Sequence, residues 1–86
     1  MVSTEIVIKN QTGLHARPAA ALVKLSKKFQ STINIKSGER NCDPKHLFKL
    51  LHCNFKMGEN IVVEADGSDE VEALDQLVAC INNFKE

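Results

Sequence analysis

Apolar and polar residues alternate from Val2 to Lys9, with Val2, Thr4, Ile6 and Ile8 on one side and Ser3, Glu5 and Lys9 largely on the other. A period of two marks a strand with one face against a core, and it predicts a first strand over residues 2–9. After a loop at 10–15 the period changes. Ala19, Leu22, Val23 and Ser26 recur at helical spacing within residues 16–28, Leu25 and Phe29 extend the apolar side, and Lys24, Lys27 and Lys28 mark the solvent side. Alternation returns through Ile33 and Ile35 over residues 31–36. Ser37-Gly38-Glu39 then supplies turn chemistry before a short strand from about Arg40 to Cys42, so a hairpin is predicted.

Asp43-Pro44 reads as a helix start, an N-cap oxygen followed by a proline whose φ is already helical, and the leucine-rich segment Lys45 to Asn54 as a short helix. Asn54 can take the left-handed conformation that ends it, although glycine is the commoner choice. Lys56-Met57-Gly58-Glu59 predicts a turn, and Ile61, Val63 and Ala65 alternate with Val62 and Glu64 in a further strand. Gly67-Ser68-Asp69 leads into a last helix, with Asp69 and Glu72 at capping-box spacing and Val71, Leu74, Val78 and Ile81 as its buried stripe. The order is strand, helix, strand, strand, helix, strand, helix, without repeat, low-complexity tract or linker. That order predicts an α+β two-layer domain, while the pattern leaves the order of strands in the sheet open.

Composition narrows the functions. The 86 residues leave room for one domain, 1–86, with a small core, because a domain of this size buries only about 60 to 65 per cent of its unfolded surface. Eleven basic and eleven acidic side chains cancel, which disfavours a broad basic surface, so no nucleic-acid partner is expected. No apolar stretch approaches the roughly 20 residues of a membrane span, and the alternating N-terminus lacks a signal-peptide core. A cytoplasmic protein without membrane insertion is expected. Cys42, Cys53 and Cys80 are odd in number and widely spaced, and read as reduced thiols filling small apolar spaces. Asn10-Gln11-Thr12 matches a glycosylation acceptor, a pattern common by chance that carries no weight in a protein read as non-secreted.

The chemistry concentrates in Thr12-Gly13-Leu14-His15-Ala16-Arg17-Pro18-Ala19-Ala20, where a loop becomes a helix. Gly13 permits an unusual backbone just before the histidine. Pro18 suits a first helical position, where its missing N–H would lack an intrahelical partner anyway. The backbone N–H groups of Ala16 and Arg17, the positive end of the helix dipole and the Arg17 guanidinium can converge on an anion carried by the His15 ring. A lone histidine at a helix start commonly caps, packs or faces solvent, and a lone surface arginine commonly makes a weak salt bridge. Their combination points instead to a phosphorylatable histidine.

Residues 13–18, Gly-Leu-His-Ala-Arg-Pro, match the signature of the histidine-containing phosphocarriers (HPr) of the phosphoenolpyruvate:sugar phosphotransferase system. The chain resembles that family over almost its whole length, without large gaps. The resemblance implies an open-faced βαββαβα sandwich, a four-stranded antiparallel sheet with three helices on one face. It further implies a monomeric carrier without a cofactor, phosphorylated stoichiometrically rather than a turnover enzyme. Its δ nitrogen of His15 would accept a phosphoryl group from Enzyme I and pass it to the Enzyme IIA units of sugar permeases, with Arg17 neutralising charge in transit. Imidazole suits the task, since it titrates near neutrality and its phosphoramidate keeps a high transfer potential.

Leu47, Phe48 and Leu51 occupy positions that form an apolar docking patch in the resembled family. Their spacing puts them on one side of a helix, which a core would also explain; Leu50 and Cys53 are the better core candidates if that side faces outward. Position 46 carries a kinase-phosphorylated serine in many Gram-positive members, but here it is His46, so no regulatory phosphoserine is expected there. Lys49 and Asn54 stand where glycines are common. A rival reading takes Cys42, His46, His52 and Cys53 as metal ligands. It is disfavoured because the adjacent His52 and Cys53 point about 100° apart on a helix and zinc sites favour spaced pairs; no metal is expected. Another rival is a regulatory paralogue that binds proteins without serving sugar transport.

Overall fold

The computed structural model describes residues 1–85; Glu86, the last position of the expected domain, lies outside the described residues. Alternation at the N-terminus produces β1 (Val2–Val7), with the even-numbered side chains turned inward and Ile8, just past the strand, buried. There follow α1 (Ala16–Ser26), β2 (Thr32–Ser37), β3 (Arg40–Cys42), α2 (Leu47–Cys53), β4 (Asn60–Asp66) and α3 (Glu70–Asn82). The strands lie in one sheet in the order β1-β4-β2-β3, each neighbouring pair antiparallel.

Register explains why the core is continuous. Ile6 faces Ile61, Thr4 faces Val63, Ile33 faces Ala65, and Ile35 faces both Val63 and Cys42, so the apolar positions of all four strands share one face. The helices cover that face: α3 packs on β1 and β4, α2 on β3, and α1 against α2 and α3. Leu22, Ile33, Ile35, Leu50, Phe55, Ile61, Val63, Leu77 and Ile81 are buried between the layers. The other face carries polar residues, among them Lys36 and Glu64, paired at 2.9 Å, as befits an antiparallel sheet open to water.

Three local expectations are corrected. Asp43-Pro44 does not begin α2. Asp43 instead closes a turn, its Oδ1 accepting from the Lys45 N–H at 2.9 Å and its carbonyl from the His46 N–H at 3.1 Å. Local bonding of aspartate followed by proline serves a turn as well as a cap, and the helix starts only at Leu47. The capping box at α3 is absent as well: Asp69 is the N-cap residue but makes no side-chain cap bond, because its carboxylate accepts from the backbone N–H groups of Gln30 and Ser31 and from the Ser31 hydroxyl. Finally, Val71 is 61% exposed, and Ala73, Leu74, Leu77 and Ile81 form the buried stripe with Val78 at its margin.

Candidate functional site

The loop before α1 is fixed from beneath. Gly13 has φ +63°, and a Cβ there would lie 2.2 Å from the Phe55 carbonyl oxygen. That close approach lets the Leu14 N–H donate to the same carbonyl at 3.0 Å. The Asn10 side chain donates to the Gly13 carbonyl at 2.7 Å within the interior. Leu14 points into the core and is buried, whereas His15 stands half-buried at the surface.

His15 is the N-cap residue of α1, with extended φ −129° and ψ 167°. Ala16 follows with φ +53°, a left-handed conformation that costs a non-glycine residue about 1–3 kcal/mol. Helical dihedrals therefore begin at Arg17, and Pro18 occupies the first turn rather than its first position. Proline costs nothing there, since first-turn N–H groups have no intrahelical acceptor; the first such bond runs from the Ala19 N–H to the His15 carbonyl at 3.4 Å. Arg17 is exposed and borders a shallow depression with Pro18, Asn83, Phe84 and Lys85.

The ring of His15 meets a residue from the far end of another helix. Its Nε2 lies 2.5 Å from Asn54 Oδ1, across a sequence separation of 39. Asn54 ends α2 in the left-handed conformation expected of it, φ 54° and ψ 51°. A carboxamide oxygen only accepts, so the contact is a hydrogen bond from a protonated Nε2; in the neutral ring that leaves the lone pair on Nδ1. Arg40 holds the backbone beneath: its guanidinium donates to the Cys53 carbonyl at 2.8 Å and the Asn54 carbonyl at 3.3 Å, and lies 5.2 Å from the Phe55 ring centroid. Glu59 pairs with Arg40 and accepts from the Lys56 N–H at 2.9 Å. A positive group at a helix C-terminus complements the dipole there.

Phe48 and Leu47 are 84% and 37% exposed, Leu51 is half-buried against the core, and Leu50 is buried. Thus Leu47 and Phe48 face outward, with Leu51 at the patch margin. His46 lies before α2, its Nε2 3.8 Å from Asp43 Oδ2. Among the described residues no three His, Cys, Asp or Glu side chains converge as a metal would need. Burial pushes the Cys42 thiol up to about 12, with the neighbouring Cys53 adding to the effect.

Neither Asn54 as a partner of His15 nor Arg40 as its support was read from the sequence. The departure from glycine at position 54 was the one available signal.

Residues 2–83 match the family described as PTS HPr component phosphorylation site. The chain is 42% identical over 81 residues to the phosphocarrier protein HPr of Haemophilus influenzae, covering 94% of this chain and 95% of that one. It is 38% identical to the phosphocarrier protein HPr of Borreliella burgdorferi over 86 residues, the whole of both chains. A crystal structure of HPr-C-His from Thermoanaerobacter tengcongensis superposes with a TM-score of 0.92 at 36% identity, covering 95% of this chain and 92% of that chain.

Proposed function

Because the chain belongs to the HPr family, the phosphocarriers of the phosphotransferase system, we propose that His15 is its phosphoryl-accepting residue, with Enzyme I as donor and Enzyme IIA proteins as acceptors. In this reading the carrier works as a monomer in the cytoplasm; among the described residues no helix is long and apolar enough to cross a membrane. The observation that carries the assignment is the half-exposed His15 ring at the start of α1, held through Nε2, a contact that in the neutral ring leaves Nδ1 with its lone pair.

The chemistry follows from that arrangement. The Nδ1 lone pair forms a bond to phosphorus while the bond from phosphorus to the donor breaks, its electron pair leaving with the donor. No proton need leave the ring. The incoming group meets the positive end of α1 and the Arg17 guanidinium, which offset its charge through both transfers. Leu47, Phe48 and Leu51 supply the apolar contact beside the site on which donor and acceptor alternate.

Incubation with phosphoenolpyruvate and Enzyme I tests this by intact mass spectrometry. The expected result is an acid-labile gain of one phosphoryl group, absent in His15→Ala and kept in His46→Ala and His52→Ala. No gain with a demonstrably active donor overturns the assignment. His46, standing by Asp43 at the start of α2, favours one second reading: a paralogue with specialised protein partners. It predicts phosphorylation by Enzyme I without onward transfer to Enzyme IIA.

A further inference from the structure

We propose that Asn54 is a positioning residue for phosphoryl transfer, setting the tautomer and orientation of His15 by accepting a hydrogen bond from its Nε2–H. The inference rests on His15 being the phosphorylated residue. Its starting point is the 2.5 Å contact between His15 Nε2 and Asn54 Oδ1.

The helix end alone does not explain this asparagine. With φ 54° the position suits glycine at least as well, since glycine carries no Cβ penalty in the left-handed region. What asparagine adds is a carboxamide, and its oxygen reaches the imidazole. A neutral imidazole is divided between two tautomers, of which only the one protonated on Nε2 has a lone pair on Nδ1. Acceptance by Asn54 selects that tautomer and restrains rotation of the ring. The Asn54 backbone is itself held, since its carbonyl and that of Cys53 accept from Arg40, which pairs with Glu59. Asn54 thus presents its acceptor from a fixed point.

The bond also changes strength during the reaction. As Nδ1 bonds to phosphorus, the ring takes on imidazolium character and Nε2–H becomes a more acidic donor. Hydrogen bonds with an ionised partner are roughly twice as strong as neutral ones, so the contact favours the transition state over the free carrier. Nε2 keeps its proton in both directions of transfer, and the same bond serves acceptance and donation.

Asn54→Gly is the informative variant, because it removes the carboxamide and relaxes the backbone. Two readouts are needed: the His15 tautomer ratio from the nitrogen shifts of the ring, and kcat and KM of phosphorylation by Enzyme I. The parent is expected to be almost entirely in the Nε2–H tautomer and Asn54→Gly a mixture, with kcat down about tenfold, KM little changed and thermal stability retained. Asn54→Asp, which keeps an acceptor at the same reach, should restore the Nε2–H tautomer. An unchanged tautomer ratio and kcat in Asn54→Gly would sink the positioning role while leaving the carrier assignment standing. A parent that Enzyme I does not phosphorylate would instead refute the carrier assignment on which the role depends.

Discussion

Gly13 and Gly38 have nearly the same φ, +63° and +60°, yet a side chain would find open space at Gly38 and the Phe55 carbonyl at Gly13. Gly38→Ala bears only the conformational cost, about 1–2 kcal/mol. Gly13→Ala must in addition push apart the loop and the segment after α2, a loss above about 2 kcal/mol and a fall in Tm of roughly 10 °C or more. Thermal unfolding of the two variants side by side checks the difference, and equal losses would mean that the approach to Phe55 is unimportant. The need for glycine before the histidine was legible in the motif; its contact was not, since Phe55 is far away in sequence. His15 and Arg17 could be proposed from the sequence because the motif that carries them is local. Asn54 could not, because no local pattern reports a partner on another helix. Among the thiols, Cys42 is buried and its pKa raised to about 12, so little thiolate exists at pH 8. Alkylation followed by mass spectrometry should find Cys42 the slowest of the three cysteines to react in the folded protein.

Elements were easier to read than their ends, because periodicity accumulates over many residues while a boundary turns on one or two hydrogen bonds. Asp43 was equally suited to a cap or a turn, and its bonds to Lys45 and His46 decided for the turn. In α3 the spacing allowed Val71 into the stripe, and packing on β1 and β4 selected Ala73 and Leu77 instead. Leu77→Ala is expected to lose about 2–5 kcal/mol, and Val71→Ala to stay within about 0.5 kcal/mol, as urea unfolding would measure. Asp69 belongs to the same scale, for it ties the start of α3 to the segment before β2. The Ser31 hydroxyl, then the Gln30 and Ser31 N–H groups, hold its carboxyl below its ordinary value. A depressed folded value means that this stabilisation is complete above the ordinary carboxylate range and lost as pH falls through the folded value. Asp69→Asn should therefore be less stable than the parent at neutral pH, with the gap closing in acid; a gap independent of pH would refute the linkage.

At the scale of the molecule, strand order was the least legible property, since four strands of similar alternation can be arranged in many ways and pattern alone does not choose. The resemblance supplied the layered architecture, and the register supplied the reason it is stable: one shared apolar face for three helices to cover. The same topology assembles the site. Packing α1 on α2 brings the start of one helix to the end of the other, so His15 and Asn54, 39 residues apart in the chain, meet. With no net charge to steer partners, recognition must come from local contact, and Phe48 is the large apolar side chain most available for it at 84% exposure. Replacing it by alanine removes little that the folded chain uses, so Tm should move by no more than a few degrees. Loss of a central aromatic contact in a transient interface costs about 2 kcal/mol or more, so on the proposed docking role the KM for Enzyme I rises by at least about tenfold. His15, the proposed nucleophile, is untouched, so kcat should hold. Steady-state phosphorylation of Phe48→Ala thus separates docking from chemistry: a fall in kcat at constant KM would mean that the α2 face shapes the histidine rather than receiving the partner.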